Sequence, residues 1–269
     1  MQDPFMNQKL NNYGIKYRLG KGAFATVYAA EDLSKNTTAH KTLVALKIPI
    51  NQNISYRKQL AEAELLMELD HPNIVKVHSI EYNRQFNVFF FVMELLKGKP
   101  LEEILYLKGA EPCDNGFTEK IIAQIFSSLE YCAAKNMLHR DIKPANVVVL
   151  NADHIKITDF GFAGIFEDLD KRTLRAGTLF YMPYEQIQGK PELASDVWAA
   201  GVILYRMLTG RLPFVAADEK ELIKKIKEEE PTPVKDLNPK APDHLVEICN
   251  ECLKKDPAER YKFTHDFGI

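Results

Sequence analysis

The run His139-Arg140-Asp141-Ile142-Lys143-Pro144-Ala145-Asn146 places an acid, a lysine and an amide within eight residues. Thirteen residues after Asn146 comes Asp159-Phe160-Gly161. A positioned carboxylate such as Asp141 can take the proton of an alcohol as it attacks. A lysine such as Lys143 can neutralise charge that builds on a phosphoryl group. Asn146 and Asp159 offer hard oxygen ligands to a hard cation such as Mg2+. Together these residues can move a phosphoryl group from a nucleotide to a hydroxyl. Either triplet alone occurs by chance; the two in this order and spacing carry the signal.

Such residues need elements to hold them. Residues 17–48 alternate β-branched or aromatic with polar types and predict strands, broken at Gly20 and Gly22. Residues 55–69 have helical spacing, with Leu66, Met67 and Leu69 on the apolar side, and His71-Pro72 ends them. Strands follow at 75–80 and 88–94. After Lys97-Gly98-Lys99-Pro100 helical patterns dominate: 118–136, 196–208, 219–229 and 243–254, with a short hairpin from 147–150 and 154–158 around Asn151-Ala152-Asp153. A strand-rich front and a helix-rich back predict two lobes, and nucleotide sites commonly lie between lobes.

Two features of the front suit a nucleotide. Glycines in Gly20-Lys21-Gly22-Ala23-Phe24-Ala25-Thr26-Val27 would let backbone N–H groups approach phosphate oxygens. In Val44-Ala45-Leu46-Lys47 the small Ala45 and the basic Lys47 share one face of a strand. Ala45 leaves room for a flat adenine, and Lys47 can reach phosphates.

These motifs resemble the eukaryotic-type protein kinases over residues 17–260, nearly the whole chain. The resemblance implies an α+β, bilobal kinase-like fold. Its N-lobe is a small antiparallel sheet with one main helix, and its larger C-lobe is mostly helical. The expected boundaries are a tail at 1–12, an N-lobe at 13–96 and a C-lobe at 97–269. The opening Met1-Gln2-Asp3-Pro4-Phe5 before Met6 resembles a vector remnant and is not expected to belong to the fold.

The resemblance also implies roles. ATP and Mg2+ are the expected cofactors. Asp141 would orient the substrate hydroxyl, Lys143 would meet the transferred phosphoryl, and Asn146 and Asp159 would hold magnesium. Lys47 would contact the α- and β-phosphates and pair with Glu62 of the first helix; Glu64 and Glu68 are the competing acids. Gly20 and Gly22 would cover the phosphates, although the third glycine of the family's loop is Ala25 here. Val27, Ala45 and Val148 would sandwich adenine. Met93 would be the gatekeeper, with the Glu94 carbonyl and Leu96 backbone on the adenine edge. Leu66, Val77, His139 and Phe160 would stack as one column.

Lys143-Pro144-Ala145-Asn146 and Gly177-Thr178 resemble the serine/threonine branch, in which that threonine contacts the catalytic acid and the lysine. The segment from Asp159 to Glu185 departs from the family by reading Pro183-Tyr184-Glu185 in place of Ala-Pro-Glu. Glu185 is expected to pair with Arg260, and Asp196-Val197-Trp198 to begin the buried helix that anchors the catalytic loop. Arg140 is the expected receiver of a regulatory phosphate on Thr173; Glu167, Asp168 and Asp170 are rival partners for it. Relatives that prefer arginine before the target carry acids where this chain has Pro100, Ala145 and Arg206, so no strong preference for upstream basic residues is expected.

Composition is consistent with this. The 269 residues are 46% hydrophobic and 27% charged, enough to bury real cores. A net charge of −2 gives no reason to expect nucleic acid or an anionic membrane as the main partner, while the resemblance implies protein substrates. No apolar run approaches a membrane span, and no secretory signal is evident. Four cysteines fit a reducing, cytoplasmic setting. Cys249 and Cys252 form a C-x-x-C without a second pair, which reads as two small core residues on one helix and not as half a zinc site. The chain ends soon after Arg260, as a catalytic portion of a longer protein would. The alternatives are a pseudokinase-type nucleotide-binding scaffold and a small-molecule phosphotransferase of kinase-like fold. The pseudokinase should lack one of Lys47, Asp141 and Asp159. The phosphotransferase should lack the Thr178 region and the Glu185/Arg260 pair.

Overall fold

The computed structural model describes residues 3–22, 25–35, 41–50, 64, 66–159 and 176–263. Two compact units meet in sequence at Lys97 and Gly98.

The first unit is built on a six-stranded sheet in the order β1-β2-β3-β4-β6-β5. Its strands are β1 (Lys9–Leu10), β2 (Tyr13–Lys21), β3 (Ala25–Asp32), β4 (Leu43–Pro49), β5 (Val77–Asn83) and β6 (Val88–Glu94). All neighbours run antiparallel. Because side chains alternate across a strand, one face collects Tyr28, Ala30, Val44, Leu46, Ile48, Phe90 and Val92, which pack with Leu10, Tyr13 and Ile15 into a core. The opposite face collects Val27, Ala45, Lys47, Phe91 and Met93. The register pairs Val27 with Lys47, Lys47 with Phe91 and Ala45 with Met93.

The opening residues take part in this fold. Phe5 and Met6 pack on the core, Phe5 lies edge-on to Tyr28, and Asp3 accepts a hydrogen bond of 2.8 Å from the Tyr28 hydroxyl. Strand β5 starts two residues later than residues 75–80 suggest, with a register irregularity between Val77 and Ser79. Of the helix expected at 55–69, only Glu64 and residues 66–69 are described. Their carbonyl end is closed by Lys76, whose Nζ donates to Met67 O (3.3 Å) and Leu69 O (3.0 Å).

The second unit is mostly helical. Its main helices are α1 (Leu101–Lys108), α2 (Asn115–Ala134), α3 (Leu193–Thr209), α4 (Glu219–Glu228) and α5 (Asp243–Cys252). A small sheet of β7 (Lys99–Pro100), β8 (Val147–Asn151) and β9 (His154–Ile157) completes it. Helix α2 starts at Asp114, whose carboxylate accepts from Phe117 N, and stops at Asn136, which sits at φ 56°. Helix α3 is buried nearly all round, with α2 and α5 packed against it. It opens with a reciprocal Glu192–Ser195 cap and closes at Gly210, at φ 72°. Gly201 lets α5 approach closely: a Cβ there would lie 2.4 Å from the Cys252 Cβ. Cys249 and Cys252 are buried on α5, and burial pushes both thiols up, as two core residues require. Among the described residues no group of His, Cys, Asp and Glu could hold a metal ion by itself, and no helix is long and apolar enough to cross a membrane.

Candidate active site

The loop from His139 to Asn146 has little secondary structure of its own, so its shape comes from polar anchors. The chief anchor is Asp196 in the first turn of α3, itself buried. Its two carboxylate oxygens accept from His139 N at 2.6 Å and Arg140 N at 2.8 Å. Burial pushes this carboxyl up, against the pull of the backbone bonds from His139 and Arg140. Arg140 adopts φ 67°, a left-handed conformation that costs a non-glycine residue about 1 kcal/mol. The strain is held in place from both sides, because the Arg140 carbonyl also accepts from Gln186 Nε2 at 2.6 Å.

His139 is fully buried and ties the loop to the strand that leads to Asp159. Its Nδ1 accepts from Asp141 N at 3.2 Å, which leaves Nε2 as the protonated nitrogen, donating to Thr158 O at 2.9 Å. Thr158 N in turn donates to Asn146 O at 2.8 Å. Asp159 follows directly, at φ 67°. The two segments that carry the candidate metal ligands are therefore joined through one buried imidazole and through the Thr158 N–H and hydroxyl, which both donate to Asn146 O.

At the centre Lys143 Nζ donates to both oxygens of Asp141, at 2.8 and 2.7 Å, and to Thr178 Oγ1 at 3.1 Å. Asn146 Nδ2 donates to Asp141 O at 2.8 Å and Asp141 Oδ2 at 3.0 Å. Asp141 is thus held by an ammonium and an amide while a quarter of its side chain stays exposed. With its nitrogen committed, Asn146 has its side-chain oxygen left, among the described residues, to offer a cation. Asp141, Lys143, Asn146 and Thr178 therefore form one cluster.

Thr178 is itself positioned. It lies in the turn Ala176–Leu179, and the chain after it is tied down by Glu185. Arg260 donates to Glu185 from Nη1 at 2.6 Å and Nη2 at 3.1 Å, and Ser195 Oγ donates to the same carboxylate at 2.8 Å. Burial raises the Glu185 carboxyl, but Arg260 and Ser195 outweigh it, and the net shift is downward. The expected Glu185/Arg260 pair is present despite the Pro183-Tyr184 departure.

In the first unit, Val27, Ala45, Lys47 and Met93 share the face of the sheet opposite the core, and Gly20 pairs with Val27. Lys47, Ala45 and Met93 are buried there, while Val27 is the part-exposed residue of β3. The Glu94 side chain accepts from Lys76 N at 2.7 Å, so this carboxylate serves the sheet edge. Leu96 is half-buried just beyond β6. Gly22 N donates to Ala25 O at 2.8 Å. In the second unit, Val148 lies in β8 beside Pro100. Glu62, Phe160 and Thr173 lie outside the described residues, as do Glu167, Asp168 and Asp170.

Sequence reasoning missed Gln186, which holds the Arg140 carbonyl. It also missed the contact of Arg206 with Glu102 (3.1 Å) and the Tyr181 hydroxyl (2.8 Å). No local spacing signals either one.

A model of the protein kinase domain matches residues 13–267. The chain belongs to that family. Serine/threonine-protein kinase PrkC of Bacillus subtilis is 31% identical over 261 residues, covering 94% of this chain and 39% of its own. Calcium-dependent protein kinase 5 of Plasmodium berghei is 33% identical over 251 residues, covering 91% and 43%. The Aurora kinase of Dictyostelium discoideum is 31% identical over 260 residues, covering 93% and 63%. The chain thus spans about two fifths of the length of the first two of these relatives.

Proposed function

We propose that this chain is a serine/threonine protein kinase, transferring the γ-phosphoryl group of ATP to serine or threonine hydroxyls of proteins. The observation that carries the reading is the Asp141–Lys143–Thr178–Asn146 cluster, anchored by Asp196. In the reaction the substrate oxygen bonds to the γ-phosphorus as the bond to the β–γ bridging oxygen breaks, and ADP leaves. Asp141 receives the hydroxyl proton. Lys143, oriented by Thr178, stands where negative charge develops. Magnesium, when bound, would neutralise charge on the phosphates, and Asn146 and Asp159 would hold it. Their oxygens suit that ion, and the Asn146 amide is already turned by its bonds to Asp141.

By the family's pattern Lys47, Gly20 and Gly22 are assigned to the phosphates, with Glu62 as the partner of Lys47. Val27, Ala45, Met93, Glu94, Leu96 and Val148 are assigned to adenine. Arg140 and Thr173 are assigned to activation by phosphorylation, including autophosphorylation. The pseudokinase scaffold is not favoured, because Lys47, Asp141 and Asp159 are all retained.

The test is transfer of labelled phosphate from ATP–Mg2+ to a generic basic protein, followed by phosphoamino-acid analysis. Phosphoserine or phosphothreonine formed by the unmutated chain is expected. Phosphotyrosine alone, or no transfer with ATP bound, would overturn the reading.

A further inference from the structure

Arg206 stands in the last turn of helix α3, with its side chain 18% exposed. One nitrogen, Nη1, makes both of its contacts, to Glu102 Oε1 at 3.1 Å and to the Tyr181 hydroxyl at 2.8 Å. Among the described residues its Nε and Nη2 carry no hydrogen bond. That edge is the one that receives a carboxylate or phosphate side-on through two parallel N–H bonds. Glu102 is no substitute for such a ligand. It touches a different nitrogen through one oxygen, and its side chain is 45% exposed, the geometry of an ion pair worth little.

The same guanidinium is fixed relative to the reacting centre. Tyr181, which holds it, donates its backbone N–H to Thr178 O at 3.0 Å, and Thr178 holds Lys143 at 3.1 Å. A turn of chain plus a tyrosine side chain spans at most about 15 Å, which an extended peptide covers in about four residues at 3.3 Å each.

We propose that the Nε–Nη2 edge of Arg206 recognises an anionic side chain, carboxylate or phosphate, within about four residues of the target hydroxyl on the protein substrate. This rests on the kinase reading above and deepens it.

The experiment measures binding of labelled peptides in which the target serine is replaced by alanine, so that no turnover is needed. Each peptide carries one Glu, phosphoserine, Gln or Lys at one of about five positions on either side. At one position within about four residues, Glu and phosphoserine should bind about three- to tenfold more tightly than Gln, and Lys more weakly. The stronger of the first two identifies the natural source of the anion. Arg206→Gln should erase the preference. Glu102→Gln should keep or strengthen it, because Glu102 does not use that edge and a like charge beside the incoming anion is gone. A merely structural Arg206–Glu102 pair would make both variants behave alike, and that result overturns the proposal, as does a flat profile for the unmutated chain. Thermal midpoints establish that both variants fold; if Arg206→Gln does not, Arg206→Lys, which keeps the charge and loses the paired edge, should weaken the preference, and an undiminished preference there overturns the proposal. Serine versions of the same peptides separate the two readings. Binding preference without phosphate transfer would sink the kinase activity and leave the anion site standing.

Discussion

Removing Arg260 should strongly destabilise the helical unit. Its side chain is 1% exposed and donates to Glu185 twice, to Ala194 O at 2.9 Å, to Lys254 O at 2.9 Å and to Lys255 O at 3.3 Å. It also lies over the Trp198 ring at 5.1 Å. Arg260→Ala leaves Glu185 without its counter-charge and three carbonyls without their donor. Breaking a buried pair on one side costs about 3–5 kcal/mol. The carbonyls recover part of their loss as water enters the space, so about 4 kcal/mol is expected. For a unit of this size that is a fall of about 8–16 °C in thermal midpoint. Trp198 is the chain's sole tryptophan, so denaturation followed by its emission reads this unit directly. Adding Glu185→Gln to Arg260→Ala should not lower stability further, since it removes the stranded charge. Glu185 also predicts a pH effect. Its folded pKa is depressed, so its contribution is complete above its ordinary value of 4.5 and fades as pH falls through the folded value. Glu185→Gln should flatten that acid limb. A midpoint shift under about 2 °C for Arg260→Ala, or additive effects in the double variant, would refute the reasoning.

Three further outcomes are expected. Thr178→Val should slow transfer about tenfold with ATP affinity unchanged, and Thr178→Ser should restore it, read by steady-state kinetics. Gly201→Ala should cost about 2 kcal/mol or more, because the new methyl meets Cys252 across a backbone-close contact, read by chemical denaturation. Chelating magnesium should abolish transfer, and Asp159→Ala should raise the magnesium concentration needed for half-maximal rate.

The candidate catalytic loop is legible because its chemistry is compact: acid, lysine and amide stand within six residues, and the second acid follows at short range. The Glu185–Arg260 pair was legible only through the family's pattern, since its partners lie 75 residues apart. Helices α3, α4 and α5 were placed within a few residues because their apolar spacing matches their burial. Helix α1 was not singled out, and its Tyr106 and Leu107 are exposed, which blurs the helical period. Strand β5 was misjudged because Val75 is buried before the ladder begins, so apolar character and pairing part company there. The opening residues gave no periodic signal, yet Asp3 and Phe5 find Tyr28 in space. The Arg206–Glu102 contact joins residues 104 apart, and only the fold brings them together.

The most direct measurement compares the unmutated chain with Asp141→Asn for both phosphate transfer and ATP affinity. Asp141 is the group assigned to the hydroxyl proton, and a positioned base contributes about 10²–10⁴-fold. The account predicts a loss of transfer in that range, with ATP affinity held within about threefold, equivalent to less than 1 kcal/mol. Transfer within about twofold of the unmutated chain would contradict it, because the carboxylate at the centre of the cluster would then have no part in the chemistry.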